Sequence, residues 1–223
     1  MKTYAVIVAG GTGQRMGSSI PKQFLPVCGK PVLWDTINSF LKAIPGLQVI
    51  LVLPALHLSY GQELLASFEQ SAQITLREGG NTRYASVKSG LKLVTEPSMV
   101  FVHDGVRCLL TTGLIQRCYE TALRKGNAVP AVPSKDSVRI ITGSGNRIED
   151  RDRVQLIQTP QTFRSDIILN AFKQAYQDMF TDEASVVENS GTPIVLVPGE
   201  VDNIKITNPI DLLIAEKILE ARS

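Results

Sequence analysis

The sequence predicts one α/β domain built on a mostly parallel, twisted sheet with helices on both faces. Short apolar runs rich in valine and isoleucine alternate along the chain with longer segments whose apolar positions have helical spacing. The chain has 223 residues, 43% of them hydrophobic, which is enough for one domain with a substantial core. In such a sheet ligands bind at the carboxyl ends of the strands, so motifs that directly follow a strand are the first candidates for a functional site.

The predicted elements alternate in chain order. Strands are predicted, from runs too short for a helix, at residues 5–8, 49–53, 99–102, 128–132 and 194–197. Helices are predicted, from spaced apolar positions, at residues 32–43, 84–94, 114–124, 166–176 and 209–221. This alternation is typical of a Rossmann-like fold, and no repeat or linker divides residues 1–223 into further domains.

Residues 134–162 break the alternation. An alternating stretch at 137–141 is followed by the turn residues G-S-G-N at 143–146 and by a strand-like run at 154–158. We expect a β-hairpin arm that projects from the domain. Pairing with a symmetric copy would cover its strand edges and apolar residues, so the arm predicts a homodimer.

Charge and cysteine content restrict the class of protein. Lys plus Arg number 23 and Asp plus Glu number 21, and a net charge of +2 gives no broad attraction to nucleic acid or to an anionic membrane. The three cysteines form no C-x-x-C pair, which suits a reducing compartment. No signal-peptide pattern and no stretch of about 20 apolar residues is present. We therefore expect a soluble, cytoplasmic protein with neither nucleic-acid nor membrane partners.

A glycine-rich loop directly follows the first predicted strand. Residues 9–17 read A-G-G-T-G-Q-R-M-G, and residues 21–25 read P-K-Q-F-L. Glycines let backbone N–H groups converge on phosphate oxygens, and Arg15 and Lys22 add positive charge. The loop is therefore predicted to bind a polyphosphate, with Lys22 acting on the phosphates and packing little. The alternative is a glycine-rich turn whose cations are only solvated.

Two common phosphate-binding motifs do not fit this loop. A P-loop requires lysine after its last glycine, but Gly17 is followed by Ser18. A dinucleotide fingerprint requires G-x-G-x-x-G, whereas Gly11, Gly13 and Gly17 have the spacing G-x-G-x-x-x-G. A dinucleotide-dependent oxidoreductase is therefore disfavoured.

Two further segments follow predicted strands or turns. The first, H-D-G-V-R at residues 103–107, places Asp104 where a carboxylate can hold Mg²⁺ against phosphates, although an aspartate after a strand is more often a helix cap or turn former. The second, at residues 79–87, is a glycine turn that leads into a helix, and it can equally be an ordinary helix start. His57 and His103 are the only histidines, so a cluster of His and Cys metal ligands is not predicted.

These motifs together resemble a known family. The pattern G-G-x-G-x-R-M followed by P-K-Q resembles the sugar-phosphate nucleotidyltransferases, and residues 21–25 resemble the cytidylyltransferases among them. Residues 181–185 (T-D-E-A-S) and 201–207 (V-D-N-I-K-I-T) are similar to segments of the methylerythritol phosphate cytidylyltransferases, so the resemblance extends over essentially the whole chain. It implies CTP and 2-C-methyl-D-erythritol 4-phosphate as substrates, Mg²⁺ as cofactor, and a homodimer with embracing arms.

The resemblance also implies roles for individual residues. Arg15, Lys22 and Lys205 would be catalytic, and Asp104 would bind the metal. The implied nucleotide contacts are Ala9, Gly10, Gly11, Gly80, Arg83, Ser86 and Gly105. The implied contacts to the sugar-alcohol phosphate are Arg107, Asp136, Ser137, Arg151, Thr159 and Thr181.

Some positions depart from the commonest family pattern. Cys108 stands where a proline usually follows the arginine, which could loosen the loop that carries Arg107, and Ser137 replaces a threonine but keeps the hydroxyl. Two alternatives stay open: a ribitol-phosphate cytidylyltransferase, which would differ from this chain at residues 181–185, and a relative that binds CTP without turnover.

Overall fold

A computed structural model describes residues 1–11, 17 and 20–222 of the chain. The strands are β1 (Lys2–Val8), β2 (Pro26–Val27), β3 (Lys30–Pro31), β4 (Gln48–Leu53), β5 (Ile74–Glu78), β6 (Ser98–Asp104), β7 (Asn127–Pro133), β8 (Val138–Thr142), β9 (Gly145–Glu149), β10 (Gln155–Ile157), β11 (Gln161–Arg164) and β12 (Leu196–Pro198). The helices are α1 (Val32–Ala43), α2 (Leu58–Leu65), α3 (Arg83–Leu91), α4 (Thr112–Lys125), α5 (Ser165–Ala171), α6 (Glu183–Asn189) and α7 (Pro209–Arg222).

The main sheet is mostly parallel, as predicted. Within the described residues it has eight strands in the order β10-β7-β11-β6-β1-β4-β5, and β12 pairs with β7. Strand β1 pairs in parallel with both β4 and β6, and β4 pairs in parallel with β5. Strands β10 and β11 run in the opposite direction. The carboxyl ends of β1, β4, β5 and β6 therefore meet at one edge of the sheet.

Helices cover both faces of this sheet. Because side chains of a strand alternate between faces, Ala5 and Ile7 of β1 join one core cluster, and Tyr4, Val6 and Val8 join another. The first cluster includes residues of α1, α2 and α4, and the second includes residues of α3, α5 and α6. Helix α7 packs on a smaller apolar cluster next to the site edge.

Local sequence explains several helix ends. The hydroxyl oxygens of Thr82 and Thr111 accept hydrogen bonds from the backbone of the first turns of α3 and α4. Gly126 ends α4 with φ of 91°, a left-handed conformation that favours glycine. The side-chain amide of Gln174 donates to the carbonyl of Ala171 at 2.8 Å, and α5 ends there, short of the predicted residue 176.

Most predicted elements are present, and some were missed. Helix α1 has the predicted bounds, and β1, β4, β6, β7, α3, α4 and α7 overlap their predicted segments closely. The strand predicted at 194–197 lies at Leu196–Pro198 instead. The elements that were not predicted include α2, β5, β11 and α6. No helix among the described residues is long and apolar enough to cross a membrane.

The arm is a β-hairpin, but its pairing differs from the prediction. Strand β8 pairs with β9 across a two-residue turn, with Thr142 opposite Gly145. The run at 154–158, expected to be the second strand of the hairpin, contains β10, which instead joins the main sheet antiparallel to β7. The two-residue turn at Gly143 and Ser144 places residues 145–149 opposite β8, which leaves residues 155–157 to pair with β7.

Candidate active site

The site is built where the carboxyl ends of four strands meet. Backbone hydrogen bonds tie the following loops to neighbouring strands: Ala9 N donates to Val52 O at 3.0 Å, and Gly105 N donates to Val8 O at 2.9 Å. Gly79 N donates to Leu53 O at 2.8 Å. The glycine-rich loop, the turn before α3 and the H-D-G-V-R segment are therefore held side by side.

Two adjoining cavities open at this edge. The larger, which we call the glycine-loop cavity, has a volume of about 390 Å³ and is lined by Gly10, Gly11, Lys22, Gly80 and Ser86, among other residues. The smaller, the Thr181 cavity, has a volume of about 230 Å³ and is lined by Arg107, Gln158, Thr159, Thr181 and Asp182, among other residues. Arg83, Asp104 and Lys205 line both cavities.

Asp104 is surrounded by three cations. Its Oδ2 lies 2.9 Å from Lys205 Nζ and 3.7 Å from Arg107 Nε, and its Oδ1 lies 3.1 Å from Arg83 Nη2. Burial alone would raise the pKa of Asp104, but Arg83, Lys205 and Arg107 hold that pKa well below its usual range. The carboxylate is therefore ionised at neutral pH.

Arg83 is shared between two carboxylates. Its Nε donates to Asp104 Oδ1 at 3.2 Å, and its two terminal nitrogens donate to the two carboxylate oxygens of Glu183. Burial would lower the pKa of Arg83, but Glu183 and Asp104 raise it above its ordinary value. Arg83 is thus a charged bridge between β6 and α6.

Lys22 is more buried than the sequence suggested. The residue is 8% exposed, and its Nζ donates to Ile206 O at 2.8 Å in the loop that carries Lys205. The expectation that Lys22 packs little is therefore wrong. The neighbouring Gln23 donates to Ala9 O at 2.9 Å, so the P-K-Q segment is bound to the glycine-rich loop.

The Lys205 loop is fixed to the Thr181 cavity by a buried asparagine. Asn203 is fully buried, and its Nδ2 donates to Thr159 O at 2.9 Å. Arg107 Nη1 donates to Asn203 O at 2.7 Å. Arg107 Nε is buried and has no hydrogen-bond partner among the described residues. Arg107 nevertheless lines the Thr181 cavity despite the Cys108 departure.

His103 fixes the turn that carries Asp104. Its Nδ1 lies 3.0 Å from Thr159 Oγ1, and its Nε2 lies 3.3 Å from Arg107 O. Because the Arg107 carbonyl oxygen can only accept, the proton of the neutral ring is on Nε2, and Nδ1 accepts from the Thr159 hydroxyl. The same hydroxyl oxygen accepts from Asp104 N at 3.1 Å. Burial lowers the pKa of His103 to about 3, and the ring is neutral. The residue therefore packs in the core and positions the turn that carries Asp104.

Two glycines are required by close approach. A Cβ on Gly80 would lie 2.5 Å from the Cβ of Ala85, and one on Gly105 would lie 2.9 Å from both Ala9 Cβ and Leu33 Cδ1. Gly105 lines neither cavity. Its position lets the loop after β6 approach the loop after β1.

The structure brings most of the predicted site residues together. Those that line one or both cavities are Ala9, Gly10, Gly11, Lys22, Gly80, Arg83, Ser86, Asp104, Arg107, Thr159, Thr181 and Lys205. Asp136, Ser137 and Arg151 lie exposed at the base of the arm and line neither cavity of their own chain. Arg15 lies outside the described residues.

Sequence reasoning missed several polar residues at the site. Glu183 lies in the quoted segment 181–185, but only Thr181 was selected from it. Gln158 and Asn203 also lie in quoted segments, and their buried side chains bind backbone groups of the loops. A buried acid or amide has no periodic pattern of its own, so only its partners in space show its role.

The described residues suit a magnesium ion held mainly by substrate. Among them, no group of three or more His, Cys, Asp or Glu side chains could hold a metal. Asp104 is the carboxylate that lines the glycine-loop cavity, and one carboxylate combined with phosphate and water oxygens is a common magnesium environment. Both Asp104 oxygens contact cations, of which Lys205 is the most exposed.

Comparison with known proteins places these features in a family. The family model described as 2-C-methyl-D-erythritol 4-phosphate cytidylyltransferase (IspD) matches residues 3–221. A protein of that name from Bacteroides thetaiotaomicron is 45% identical over 219 residues, covering 98% of this chain and 100% of the relative. One from Porphyromonas gingivalis is 44% identical, covering 98% of both chains.

Solved structures agree with the sequence matches. The crystal structure of 2-C-methyl-D-erythritol 4-phosphate cytidylyltransferase from Thermus thermophilus superposes with a TM-score of 0.78 at 32% identity, covering 99% of this chain and 100% of the other. That of 4-diphosphocytidyl-2C-methyl-D-erythritol synthase from Anaerococcus prevotii superposes with a TM-score of 0.84 at 27% identity, covering 98% of both chains. The chain belongs to the 2-C-methyl-D-erythritol 4-phosphate cytidylyltransferase family.

Proposed function

We propose that this chain transfers the cytidylyl group of CTP to 2-C-methyl-D-erythritol 4-phosphate and releases pyrophosphate. The observation that carries the proposal is the pair of adjoining cavities that share Arg83, Asp104 and Lys205. A donor and an acceptor phosphate bound in the two cavities would meet at this charged boundary. The family membership of the chain names the two substrates that fit this arrangement.

The glycine-loop cavity suits the nucleotide. Backbone groups of Gly10 and Gly11 face it, and the amino terminus of α3 lies beside it at Thr82 and Arg83. Backbone N–H groups in such loops and at helix starts bind phosphate without a counter-charge of their own. Lys22 adds a fixed ammonium group, and we propose that Arg15 adds another charge.

The Thr181 cavity suits a phosphate that carries a small polyol. Arg107, whose side chain is 12% exposed, supplies a guanidinium that lines this cavity, and Thr159 and Thr181 supply hydroxyl groups. A guanidinium matches the geometry of phosphate oxygens and stays charged at all relevant pH values.

The reaction is a displacement at the α-phosphorus of CTP. An oxygen of the acceptor phosphate forms a new bond to that phosphorus, and the bond to the bridging oxygen of the leaving pyrophosphate breaks with its electron pair. Lys22, Lys205 and Arg15 stabilise the charge that develops, and no covalent intermediate on the enzyme is needed. Correct placement of the two phosphates supplies much of the acceleration.

Asp104 is the proposed ligand of Mg²⁺. When bound, the ion neutralises phosphate charge and draws electron density from the reacting phosphorus. Asp104 also contacts the cationic side chains of Arg83, Arg107 and Lys205, so its charge holds these three groups in place at the boundary.

We further propose a homodimer in which the arms reach neighbouring subunits, and a cytoplasmic location. The exposed apolar residues of the hairpin, Ile140, Ile141 and Ile148, support pairing with a second copy. The exposed position of Arg151 supports a role in a neighbouring site. All three cysteines are free thiols, as in proteins of reducing compartments.

A substrate panel tests the function. Pyrophosphate release is measured with CTP, UTP, ATP or GTP in combination with 2-C-methyl-D-erythritol 4-phosphate or ribitol 5-phosphate. We expect rapid release only with CTP and the methylerythritol compound. Release with ribitol 5-phosphate alone would reassign the acceptor, and CTP binding without release from any pair would indicate a non-catalytic relative.

A further inference from the structure

Glu183 is a buried carboxylate for which the reaction above has no use. Its side chain is 1% exposed, and it lines neither cavity. Its Oε2 accepts from Arg83 Nη2 at 2.9 Å, and its Oε1 accepts from Arg83 Nη1. Two parallel hydrogen bonds between a guanidinium and a carboxylate form the strongest and most directional ion pair that side chains offer.

The other side of the same guanidinium faces the reaction boundary. Arg83 Nε and Nη2 lie 3.2 Å and 3.1 Å from Asp104 Oδ1. All three guanidinium nitrogens therefore contact carboxylates, and the plane of Arg83 is fixed by Glu183 on one side and by Asp104 on the other.

The pair joins the two segments that form the cavities. Arg83 follows Asn81 and Thr82, which line the glycine-loop cavity, while Glu183 follows Thr181 and Asp182, which line the Thr181 cavity. The two residues are 100 positions apart in the sequence, and their contact is a direct link between the proposed donor and acceptor sites.

We propose that Glu183 is a positioning residue that acts through Arg83, holding the guanidinium on Asp104 and setting the separation of the two cavities. The inference rests on the proposed function, because it gives the pair the task of placing donor and acceptor phosphates in line. Small displacements of reacting groups cost large factors in rate.

Glu183 is not needed to start α6. Ser185 N donates to Asp182 Oδ1 at 2.9 Å, and Asp182 N donates to Ser185 Oγ at 3.3 Å, which completes a capping box. Ala184 N donates to Gln161 Oε1 at 2.7 Å. Other groups thus bind the backbone N–H groups at the start of α6, so Glu183 is not required to hold the first turn of this helix.

A double-mutant cycle tests the proposal. Glu183→Gln, Arg83→Gln and the double variant are compared with the wild type for kcat and for KM of each substrate. We expect Glu183→Gln to lower kcat by about 30-fold or more while each KM changes by only a few-fold, since Glu183 touches neither substrate. In the Arg83→Gln background the same change should lower kcat by less than about twofold, because the partner is already gone.

Ser185→Ala is the matched control. It removes part of the capping box of α6 and leaves Arg83 untouched. In a variant that carries both Ser185→Ala and Arg83→Gln, the two effects on kcat should therefore be multiplicative. Multiplicative effects of Glu183→Gln and Arg83→Gln, or a wild-type kcat in Glu183→Gln, would overturn the proposal. If Glu183→Gln does not fold, Arg83→Gln is compared with the double variant, which leaves no unpaired buried charge. A difference in kcat above about twofold between those two would overturn the proposal equally.

A failure of the proposed reaction can be distinguished from a failure of the proposed role of Glu183. A wild type that binds CTP but turns over no acceptor would refute the proposed reaction. In that case the CTP dissociation constants of the wild type, the two single variants and the double variant are measured by calorimetry in place of kcat. Multiplicative effects on the dissociation constant would still refute the coupling of Glu183 to Arg83.

Discussion

Lys205 Nζ lies 2.9 Å from Asp104 Oδ2 at the boundary between the two cavities. The Asp104 side chain is 10% exposed and that of Lys205 is 41% exposed, so the carboxylate is the fixed partner and the ammonium group the accessible one. In the proposed reaction, Lys205 would therefore turn from Asp104 to a substrate phosphate at small cost in solvation. Asp104 keeps Arg83 and Arg107 as partners when this happens.

Replacing Lys22 by Met should lower kcat by about 10²-fold or more, since it removes one preorganised charge while keeping most of the stem. Lys22 is buried and bonded to Ile206 O, so unfolding must be measured alongside turnover. Lys42→Met, on the exposed side of α1, serves as the control and should keep the wild-type rate. A Lys22→Met enzyme with normal kcat would remove Lys22 from the proposed mechanism.

Replacing Asp104 by Asn should lower activity by about 10²-fold and raise the Mg²⁺ concentration needed for half-maximal rate. The reason is the loss of the negative charge that faces both the proposed metal position and the three cations. Initial rates across a magnesium series measure this shift. Asp202→Asn, which breaks the exposed pair with Arg222, controls for the loss of a salt bridge. An unchanged magnesium dependence would leave Asp104 with a structural role only.

Acid should destabilise the fold through His103. Burial lowers the pKa of His103 to about 3, whereas an unfolded histidine titrates near about 6.5. The unfolded state therefore binds more protons between these values, and stability falls as the pH falls from about 6.5 towards 3. From pH 6.5 to 5 this histidine should account for a loss of up to about 2 kcal/mol in the free energy of unfolding.

Urea unfolding at several pH values measures that loss. In His103→Gln the dependence on pH over this range should be clearly weaker than in the wild type. A His57→Gln variant controls for the removal of a histidine as such. Equal slopes in His103→Gln and the wild type would show that another group causes the acid sensitivity.

Subunit mixing tests the shared site. If Arg151 serves the neighbouring subunit, inactive Lys22→Met and inactive Arg151→Ala subunits should regain activity when they exchange, approaching half the wild-type value per heterodimer. One site of that heterodimer would contain both wild-type residues. Mixing Lys22→Met with Lys205→Met is the control and should restore nothing, because Lys22 and Lys205 line the same cavity of one chain. Native mass spectrometry shows whether the subunits have exchanged. If Lys22→Met and Arg151→Ala subunits form heterodimers and activity does not recover, Arg151 acts in the site of its own chain or outside the site altogether.

Local chemistry made several elements predictable from sequence. Helix α1 has spaced apolar residues after a proline. Strands β1 and β4 contain continuous apolar runs, at residues 4–8 and 49–53, as expected for strands buried on both faces. Segments such as α6 lack a strong periodic pattern because they are short, and the capping box that begins α6 depends on Asp182 and Ser185 alone. Strand β10 was misassigned because its partner β7 lies outside the arm, in the main sheet, while the local turn already pairs β8 with β9.

The sequence by itself determined the fold class, the family resemblance and most of the residues that line the two cavities. Glycine spacing, cations after a strand and an aspartate at a strand end are local patterns, and they can be read without coordinates. Only the tertiary structure decided that Lys22 is buried on the Lys205 loop, that Asp104 binds three cations, and that Glu183 holds Arg83. Those relationships join residues up to 184 positions apart, and the strength of a charge pair depends on separation and burial in space, which no local pattern encodes.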